Sequence, residues 1–450
     1  MMTMPLSEAA QVLNAKQWGE DVTFRGISTD TRTLREGNLF VALQGPNFDG
    51  HDYIEQARER GAAAATVSQV ATDRMPLLEV KDTRLALGEL AAHWRSQFSI
   101  PLAAVTGSNG KTSVKEMLAS ILRCCGETLV TQGNLNNDIG VPLTLFRLSS
   151  AHEYAVLELG ANHPGEIAYL TDMVRPTVAV INNAGPAHLE GFGDLPGVAR
   201  AKGELFDRAG PDSVCVVNVD DRFADLWSSL ASPRQIISFG LTEPADVSAE
   251  WKGDISGSDI DLVTPAGNAS LRLLLPGRHN VMNALAATAA ALAMNISLEE
   301  IAEGLGRVRP VRGRWQSQPG VNGALLIDDT YNANPGSLHV ALELLSGAEA
   351  ETWLVLGDMG ELGEEGAAFH EKAGEEARQV GITHLFTLGG LAQRAAQAFG
   401  DGAQAFDDLD ALSARVKQLA HEGVIILVKG SRAMHMERVV QALCVANGGA

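Results

Sequence analysis

Cysteine is scarce, basic residues are outnumbered, and no apolar stretch is long enough to cross a bilayer. Each shortage closes off a class of protein. Four cysteines in 450 residues, two of them adjacent at Cys124 and Cys125, have neither disulfide-framework nor metal-ligand spacing. All four are expected as buried thiols. No apolar segment follows a basic start, so no export signal is expected, and the best membrane candidate, Ala284 to Met294, is short and mostly alanine. A cytoplasmic protein without a membrane span is expected. A formal net charge of −20 argues against a nucleic-acid partner, because binding a phosphate backbone needs clustered Lys and Arg. The acid is unevenly spread: residues 1–84 hold 12 acidic and 9 basic side chains, against 18 and 9 in 313–450. The N-terminal part is the better place for an anionic ligand.

A glycine is missing as well. The common nucleotide-binding pattern G-x-x-x-x-G-K-[ST] wants glycine where Val105 stands, yet its remainder is present in Thr106-Gly107-Ser108-Asn109-Gly110-Lys111-Thr112. An apolar strand, Ile100 to Val105, runs into this turn and a helix opens at Lys111, so successive backbone N–H groups can wrap a phosphate. Gly107 and Gly110 permit positive φ and close approach of an anion. Lys111 supplies a point charge to the β- and γ-phosphates, and Thr112 can place its hydroxyl on Mg²⁺. An ordinary βα turn with a chance lysine is the competing account, and the strand before and helix after weigh against it.

Length alone suggests two to four domains, and the pattern divides into three. An α/β protein is expected, with a small N-terminal α/β domain over 1–84 and a central phosphate-loop domain on a mostly parallel sheet over 85–312. A C-terminal Rossmann-like α/β domain follows over 313–450. In the first, Ser28-Thr29-Asp30-Thr31-Arg32 and Gly45-Pro46-Asn47-Phe48-Asp49-Gly50-His51 put hydroxyls, amides and a cation at strand ends, although turn chemistry alone accounts for them equally well. The stretch Val22 to Ile27 is expected as one strand. In the second, strands at Glu153 to Leu159, Pro176 to Asn182, Ser213 to Val219 and Gln235 to Phe239 alternate with helices, as in a doubly wound sheet.

Three polar residues stand out there. Glu158 interrupts an apolar strand near its end, His188 follows the next strand in a glycine-rich loop, and Lys202 sits inside the helical pattern Val198 to Phe206. Carboxylate and imidazole suit Mg²⁺ or Mn²⁺, and site residues in such sheets collect at carboxyl ends. Taken singly, an exposed loop histidine and a solvated helix face are the plainer accounts of His188 and Lys202. From Leu241 to Leu275 short antiparallel strands are expected. Beyond them Asn280 and Asn283 share a face at the start of an alanine-rich helix, as caps or as partners for a base. In the third domain, Asp328 to Asn334, Asp358 to Glu361 and Lys429 to Arg432 lie at strand ends on one edge.

Taken in order, Thr106 to Thr112, Gly133-Asn134-Leu135-Asn136-Asn137-Asp138, Glu158-Leu159-Gly160, the His188 loop, Ala201-Lys202-Gly203-Glu204, His279-Asn280 and Asp329 resemble the Mur ligases over essentially the whole chain. The strings Gly133 to Gly140, Asp329 to Pro335 and Leu356 to Met359 are most similar to the members that add D-alanyl-D-alanine. The Asp-Asn-Pro-Arg loop usual in members that add the third amino acid is absent, and Gly360 stands where a leucine is more frequent.

The resemblance implies a three-domain, monomeric enzyme of peptidoglycan synthesis that joins D-alanyl-D-alanine to UDP-N-acetylmuramoyl-tripeptide while splitting ATP to ADP and phosphate. By the family's pattern the loop, with Ser108 and Asn109, holds the phosphates. Thr112 and Glu158 hold one Mg²⁺, and Glu158, His188 and Lys202 a second. Asn280 and Asn283 meet the adenine, Asp329 the ribose and Arg314 the γ-phosphate. Thr29, Asp30, Thr31, Arg32, Asn47, Asp49, Gly50 and His51 take the UDP end, and Asn134, Asn137, Asn332 and Asn334 contact substrate. An ammonium cannot ligate Mg²⁺, so Lys202 is expected as a carbamate. Two rivals stand beside this assignment: a folylpolyglutamate-synthase-type ligase, which releases phosphate with a folate and glutamate, and a nucleotide-switched binding protein, which forms no acyl phosphate.

Overall fold

A computed structural model describes residues 2–70, 74–186, 189–310 and 313–445. At its centre six strands form one wholly parallel sheet in the order Thr128–Val130, Tyr154–Glu158, Leu102–Thr106, Val178–Ile181, Val214–Asn218, Ile236–Phe239. Parallel strands need cover on both faces, and these supply near-continuous apolar sequence to receive it. One face packs into a core with Leu87, Leu170 and Phe206, the other into a core with Met117, Val281 and Leu285. The register sets Val105 beside Glu158 and Thr106 beside Ile181. The glycine turn, the Glu158 carboxylate and the residues after Ile181 therefore emerge together at the carboxyl edge. The edge strand Thr128–Val130 escaped the sequence pattern because three residues are too few to show a period.

The helix Arg278–Ala293 is apolar almost all round because it is core: it lies buried against the phosphate-loop helix Lys111–Leu122. Among the described residues no helix is long and apolar enough to cross a membrane. The antiparallel strands expected before it are Ser248–Asp254, Gly257–Thr264 and Gly267–Leu273, longer than the short strands anticipated.

In the N-terminal part the single strand expected over Val22 to Ile27 is two. Thr23–Arg25 pairs with Thr3–Pro5, Gly26 turns the chain at φ 79°, and Ile27–Ser28 joins a different, five-stranded sheet. Met2, Met4, Leu6 and Phe24 lie in the same apolar core as Leu102, Ala104 and Leu157 of the central sheet. The helix Thr83–Ser96 bridges the two, opening where the Asp82 carboxylate accepts the N–H groups of Arg84 and Leu85.

The C-terminal sheet is mixed, in the order Gln316–Pro319, Leu325–Asp329, Val424–Lys429, Glu351–Gly357, His384–Leu388, Ala403–Phe406, with only the first strand antiparallel. Polar and proline-ended, Gln316–Pro319 reads as loop in sequence and is tolerated here because it is an edge. The cysteine expectation holds only for Cys215. Cys124, Cys125 and Cys444 are half-buried, and the adjacent pair lies just past the end of the Lys111–Leu122 helix.

The loop helix is seated by contact with the helix Leu298–Gly306, where a Cβ on Gly304 would lie 2.3 Å from Ile121 Cα and 2.7 Å from its nitrogen. Backbone atoms cannot retreat as a flexible side chain does. Gly304→Ala is expected to destabilise the chain by about 1–3 kcal/mol. Gly306→Ala, whose Cβ would meet its nearest neighbour at 3.8 Å, should stay close to wild type. Urea titrations of the two variants check the contrast.

Candidate active site

A cavity of about 530 Å³ opens between the carboxyl edge of the central sheet and that of the C-terminal sheet. Its floor is the glycine turn. Gly110 caps the Lys111–Leu122 helix at φ 78°, and a Cβ there would lie 2.3 Å from Asn283 Oδ1 and 2.5 Å from Asn182 Nδ2. Glycine is needed for both conformation and space. The turn is held from behind by side-chain amides. Asn109 N–H donates to Asn183 Oδ1 at 2.9 Å, and Asn182 Nδ2 donates both to Asn109 O at 2.9 Å and to Asn283 Oδ1 at 2.8 Å. The opening N–H groups of the helix have no intrahelical acceptor, which makes the turn an anion site.

Lys111 folds back on this turn, its Nζ 2.7 Å from Gly107 O and 3.3 Å from Ser108 O. Burial pushes its ammonium below the usual range. Glu158 is 3% exposed. Its carboxylate accepts from Thr112 Oγ1 at 2.9 Å and from Asn136 Nδ2 at 2.7 Å. Hydroxyl and carboxylate oxygens side by side are the hard donors that Mg²⁺ takes, so the residues present fit that ion.

The opposite wall comes from the C-terminal part. Arg314 reaches over the turn to put Nη2 3.4 Å from Thr112 Oγ1, with its guanidinium 4.3 Å from the Tyr331 ring. Its Nε is buried and has no hydrogen-bond partner among the described residues. Asp329 is held by Lys429 Nζ at 2.5 Å and by the N–H of Trp315 at 3.2 Å. Asn334 caps the helix Pro335–Ser346 and its Nδ2 lies 3.3 Å from Asn109 Oδ1 across the cleft.

Of the residues expected at a site, Ser108, Asn109, Gly110, Lys111, Thr112, Glu158, Asn280, Asn283, Arg314, Asp329, Asn332 and Asn334 line this one cavity. Asn280 and Asn283 are more committed than the sequence suggests. Asn283 Oδ1 accepts from Asn182, and Asn280 Nδ2 donates to Pro276 O at 2.8 Å. Asn134 and Asn137 are not brought into the cleft: both are exposed, and Asn137 Oδ1 is spent on the N–H of Gly140 at 2.9 Å. Asn136 between them turns inward instead.

Lys202 is not on a solvated face. It is 2% exposed, its Nζ 5.3 Å from the Phe192 ring, and burial, with the nearby Lys111 charge, brings its pKa down to about 7. It stands outside the cavity lining. His188 lies outside the described residues.

The N-terminal residues form a separate cluster, none of them lining the cavity. Asp30 and the exposed Arg32 pair at 2.6 Å, and Thr31 is buried, donating to Gln56 Oε1 at 2.7 Å. His51 Nε2 accepts the N–H of Ser68 at 2.9 Å, so Nδ1 carries the proton and donates to Asp49 at 2.6 Å. Gly50 has no room for a Cβ, which would lie 2.7 Å from Leu43 O. Thr29 is half-buried and Asn47 exposed.

Sequence reasoning gave no site role to Asn136, Asn182, Asn183, Trp315 and His279, all in the cavity lining, although Asn136 and His279 stand in strings that carry the family resemblance. The strand-end rule that found Glu158 also reaches Asn182 and Asn183, which directly follow Ile181. No comparable local signal marks Trp315.

Residues 23–95 match the Mur ligase family catalytic domain, 105–291 the Mur ligase middle domain, and 313–432 the Mur ligase glutamate ligase domain. The chain is 45% identical over 447 residues, covering 98% of itself and 99% of its relative, to the UDP-N-acetylmuramoyl-tripeptide–D-alanyl-D-alanine ligase of Escherichia coli K12. It superposes on crystal structure I of MurF from Acinetobacter baumannii with a TM-score of 0.92 and 37% identity, over 98% of both chains. The MurF ligase of Thermotoga maritima in complex with ADP matches with a TM-score of 0.82 and 29% identity, over 93% of this chain and 96% of that one.

Burial drives the His279 imidazole from 6.5 to about 4, with Asp329 pulling the other way. The folded chain keeps it neutral while the unfolded chain protonates it. Between about pH 6.5 and about 4 the unfolded state therefore binds more protons, and stability falls as pH falls through that window. His279→Asn is expected to flatten the slope of unfolding free energy against pH there. Urea titrations at several pH values check it, and an unchanged slope would exclude a neutral His279.

Proposed function

The chain belongs to the Mur ligase family, and we propose that the cleft between its phosphate turn and its C-terminal sheet is where the family's chemistry takes place. The chain is an ATP-dependent ligase that joins D-alanyl-D-alanine to UDP-N-acetylmuramoyl-tripeptide in peptidoglycan precursor synthesis. An amine does not displace oxide from a carboxylate at neutral pH. In the proposed sequence the tripeptide carboxylate takes the γ-phosphoryl of ATP, a carboxyl oxygen–phosphorus bond forming as the bond to the ADP oxygen breaks. The dipeptide amine then attacks the acyl carbon, loses a proton, and phosphate departs.

Bringing a carboxylate up to a triphosphate is an electrostatic problem. Lys111 and the open N–H groups of its helix lie on one side and Arg314 on the other, an arrangement suited to stabilising charge on the transferring phosphoryl. The observation that carries the proposal is Arg314 held 3.4 Å from Thr112 across the cleft, which sets a cation from one domain over the phosphate turn of another.

In this assignment Asp329 takes the ribose, and Asn280 and Asn283 stand at the adenine end. Asn332 and Asn334 face substrate, and the turns around Asp30-Thr31-Arg32 and Asp49-Gly50-His51 hold the UDP end. The domains assigned are 1–84, 85–312 and 313–450, in a cytoplasmic monomer, since ATP and a UDP-linked sugar are substrates of the cell interior. Thr112 and Glu158 would hold one Mg²⁺, and Glu158, His188 and Lys202 a second. When bound, Mg²⁺ supplies charge neutralisation at the phosphates. An ammonium at Lys202 would repel that second ion. Its neutral amine can add CO₂, forming an N–C bond and releasing one proton, to give a carbamate with two hard oxygens. Support comes from its burial and its proximity to the Lys111 charge.

Lys111→Ala is expected to abolish phosphate release with UDP-N-acetylmuramoyl-tripeptide, ATP and D-alanyl-D-alanine while leaving the thermal melt close to wild type, because the ammonium hydrogen-bonds to carbonyls of its own turn. Near-normal release would remove the phosphate-turn assignment.

Lys202→Ala is expected to lose activity and to regain part of it with added short-chain carboxylic acids. Rescue by small amines instead would mean that Lys202 acts as a cation and carries no carbamate.

A further inference from the structure

Arg314 stands between two residues with left-handed backbone, Gly313 at φ 75° and Trp315 at φ 47°. Glycine adopts that conformation freely. A bulky residue does not, and one found there persists only where its surroundings over-determine it. If the turn alone mattered, glycine or asparagine at position 315 would make it without strain. The side chain must therefore serve a purpose of its own.

Its contacts show what it reaches. Trp315 is 7% exposed and sits in the apolar core of the C-terminal part. The indole N–H donates, at a long 3.4 Å, to the carbonyl of Ile255 at the tip of the hairpin between Ser248–Asp254 and Gly257–Thr264. The Ile255 side chain packs on the same C-terminal core, although its hairpin belongs to the central part. The kinked backbone of Trp315 also presents its N–H to Asp329 Oδ1 at 3.2 Å. Two residues earlier, Gly313 O accepts the N–H of Tyr331, whose ring lies against Arg314.

We infer that Trp315 is a positioning residue, its indole wedged beneath the Ile255 hairpin tip to lock the turn that sets Arg314 and Asp329 toward bound ATP. The hairpin thereby acts on the nucleotide from outside the cavity, and Ile255 is not among the cavity's lining residues. This rests on the assignment of the cleft as the ATP site.

Steady-state kinetics of the full chain with all three substrates test it, on Ile255→Ala, Asp329→Asn, their double variant and Trp315→Phe. Ile255→Ala is expected to raise the KM for ATP about fivefold while kcat stays within about twofold, and its effect should be less than additive with that of Asp329→Asn. Trp315→Phe, which keeps an aromatic wedge, should stay within about threefold of wild type in KM for ATP. A tryptophan that only fills the core predicts otherwise. Ile255→Ala would then lower the melting temperature with KM for ATP unchanged, or its effect would add fully to that of Asp329→Asn, and either result overturns the inference. Should Ile255→Ala fail to fold, Ile255→Val replaces it in the cycle with the same criteria. If Asp329→Asn alone leaves KM for ATP unmoved, the ATP-site assignment falls and the inference falls with it. A rise with Asp329→Asn but none with Ile255→Ala removes only the role of Trp315.

Discussion

The cleft depends on how closely the backbone at Gly110 lies against Asn182 and Asn283. No Cβ fits between them, and the gap is closed by amide hydrogen bonds running from Asn109 through Asn182 and Asn283 toward Asn280 and Pro276. Amides suit this task better than charged groups. They satisfy buried backbone polar atoms from both sides without the large desolvation penalty that an ion carries. A fully satisfied polar network also rigidifies what it holds. The turn therefore has its anion-binding shape before any nucleotide arrives, and ordering it is not a cost that ATP binding must meet.

Positive charge in the cleft is arranged on the same economy. Lys111 rests on its own turn's carbonyls, Arg314 lies over Tyr331, and Lys429 is held by Asp329. The Asp329–Lys429 pair is nearly buried on the lysine side, 3% exposed against 16% for the aspartate. Removing one partner from such a pair typically costs about 3–5 kcal/mol, even where replacing both by apolar groups costs little. The pair is better understood as fixing where Asp329 points than as a contribution to stability.

How much of this could be read from sequence differed by element, for physical reasons. The phosphate turn was legible because its chemistry is local: strand, glycines, lysine and helix follow one another without interruption. Glu158 was legible because a carboxylate in an apolar strand needs a reason. Within Gly133 to Asp138 spacing could not tell which asparagine turns inward, since that is decided by Asn137 Oδ1 accepting the N–H of Gly140 while Asn136 faces Glu158. The burial of Lys202 depends on Phe192 and on neighbours distant in sequence, and helical periodicity alone favoured a solvated face. The alanine-rich helix showed no preferred side because it has none. Trp315 left no trace, because left-handed backbone at a bulky residue is imposed by tertiary contacts and runs against local preference.

The apolar core shared by Met2, Met4, Leu6 and Phe24 with Leu102, Ala104 and Leu157 has a bearing on how such a chain can be cut and recombined. Among the described residues the C-terminal part carries two cores almost entirely its own, and Ile255 of the central part packs on one of them. It meets the phosphate turn through long polar contacts of 3.3–3.4 Å. A fragment begun after residue 84 would take Met2, Met4, Leu6 and Phe24 out of the core on one face of the central sheet, leaving Leu87, Leu170 and Phe206 without those neighbours, and a foreign N-terminal segment grafted there would have to match the surface left behind. There are three groups of sheets but only two units of exchange. Recombination between relatives at the first junction must carry both halves of one core together, whereas at the second junction the C-terminal cores travel nearly whole and what has to match is the hairpin tip, the packing of Leu344 against Gly277 and the hydrogen bonds across the cleft.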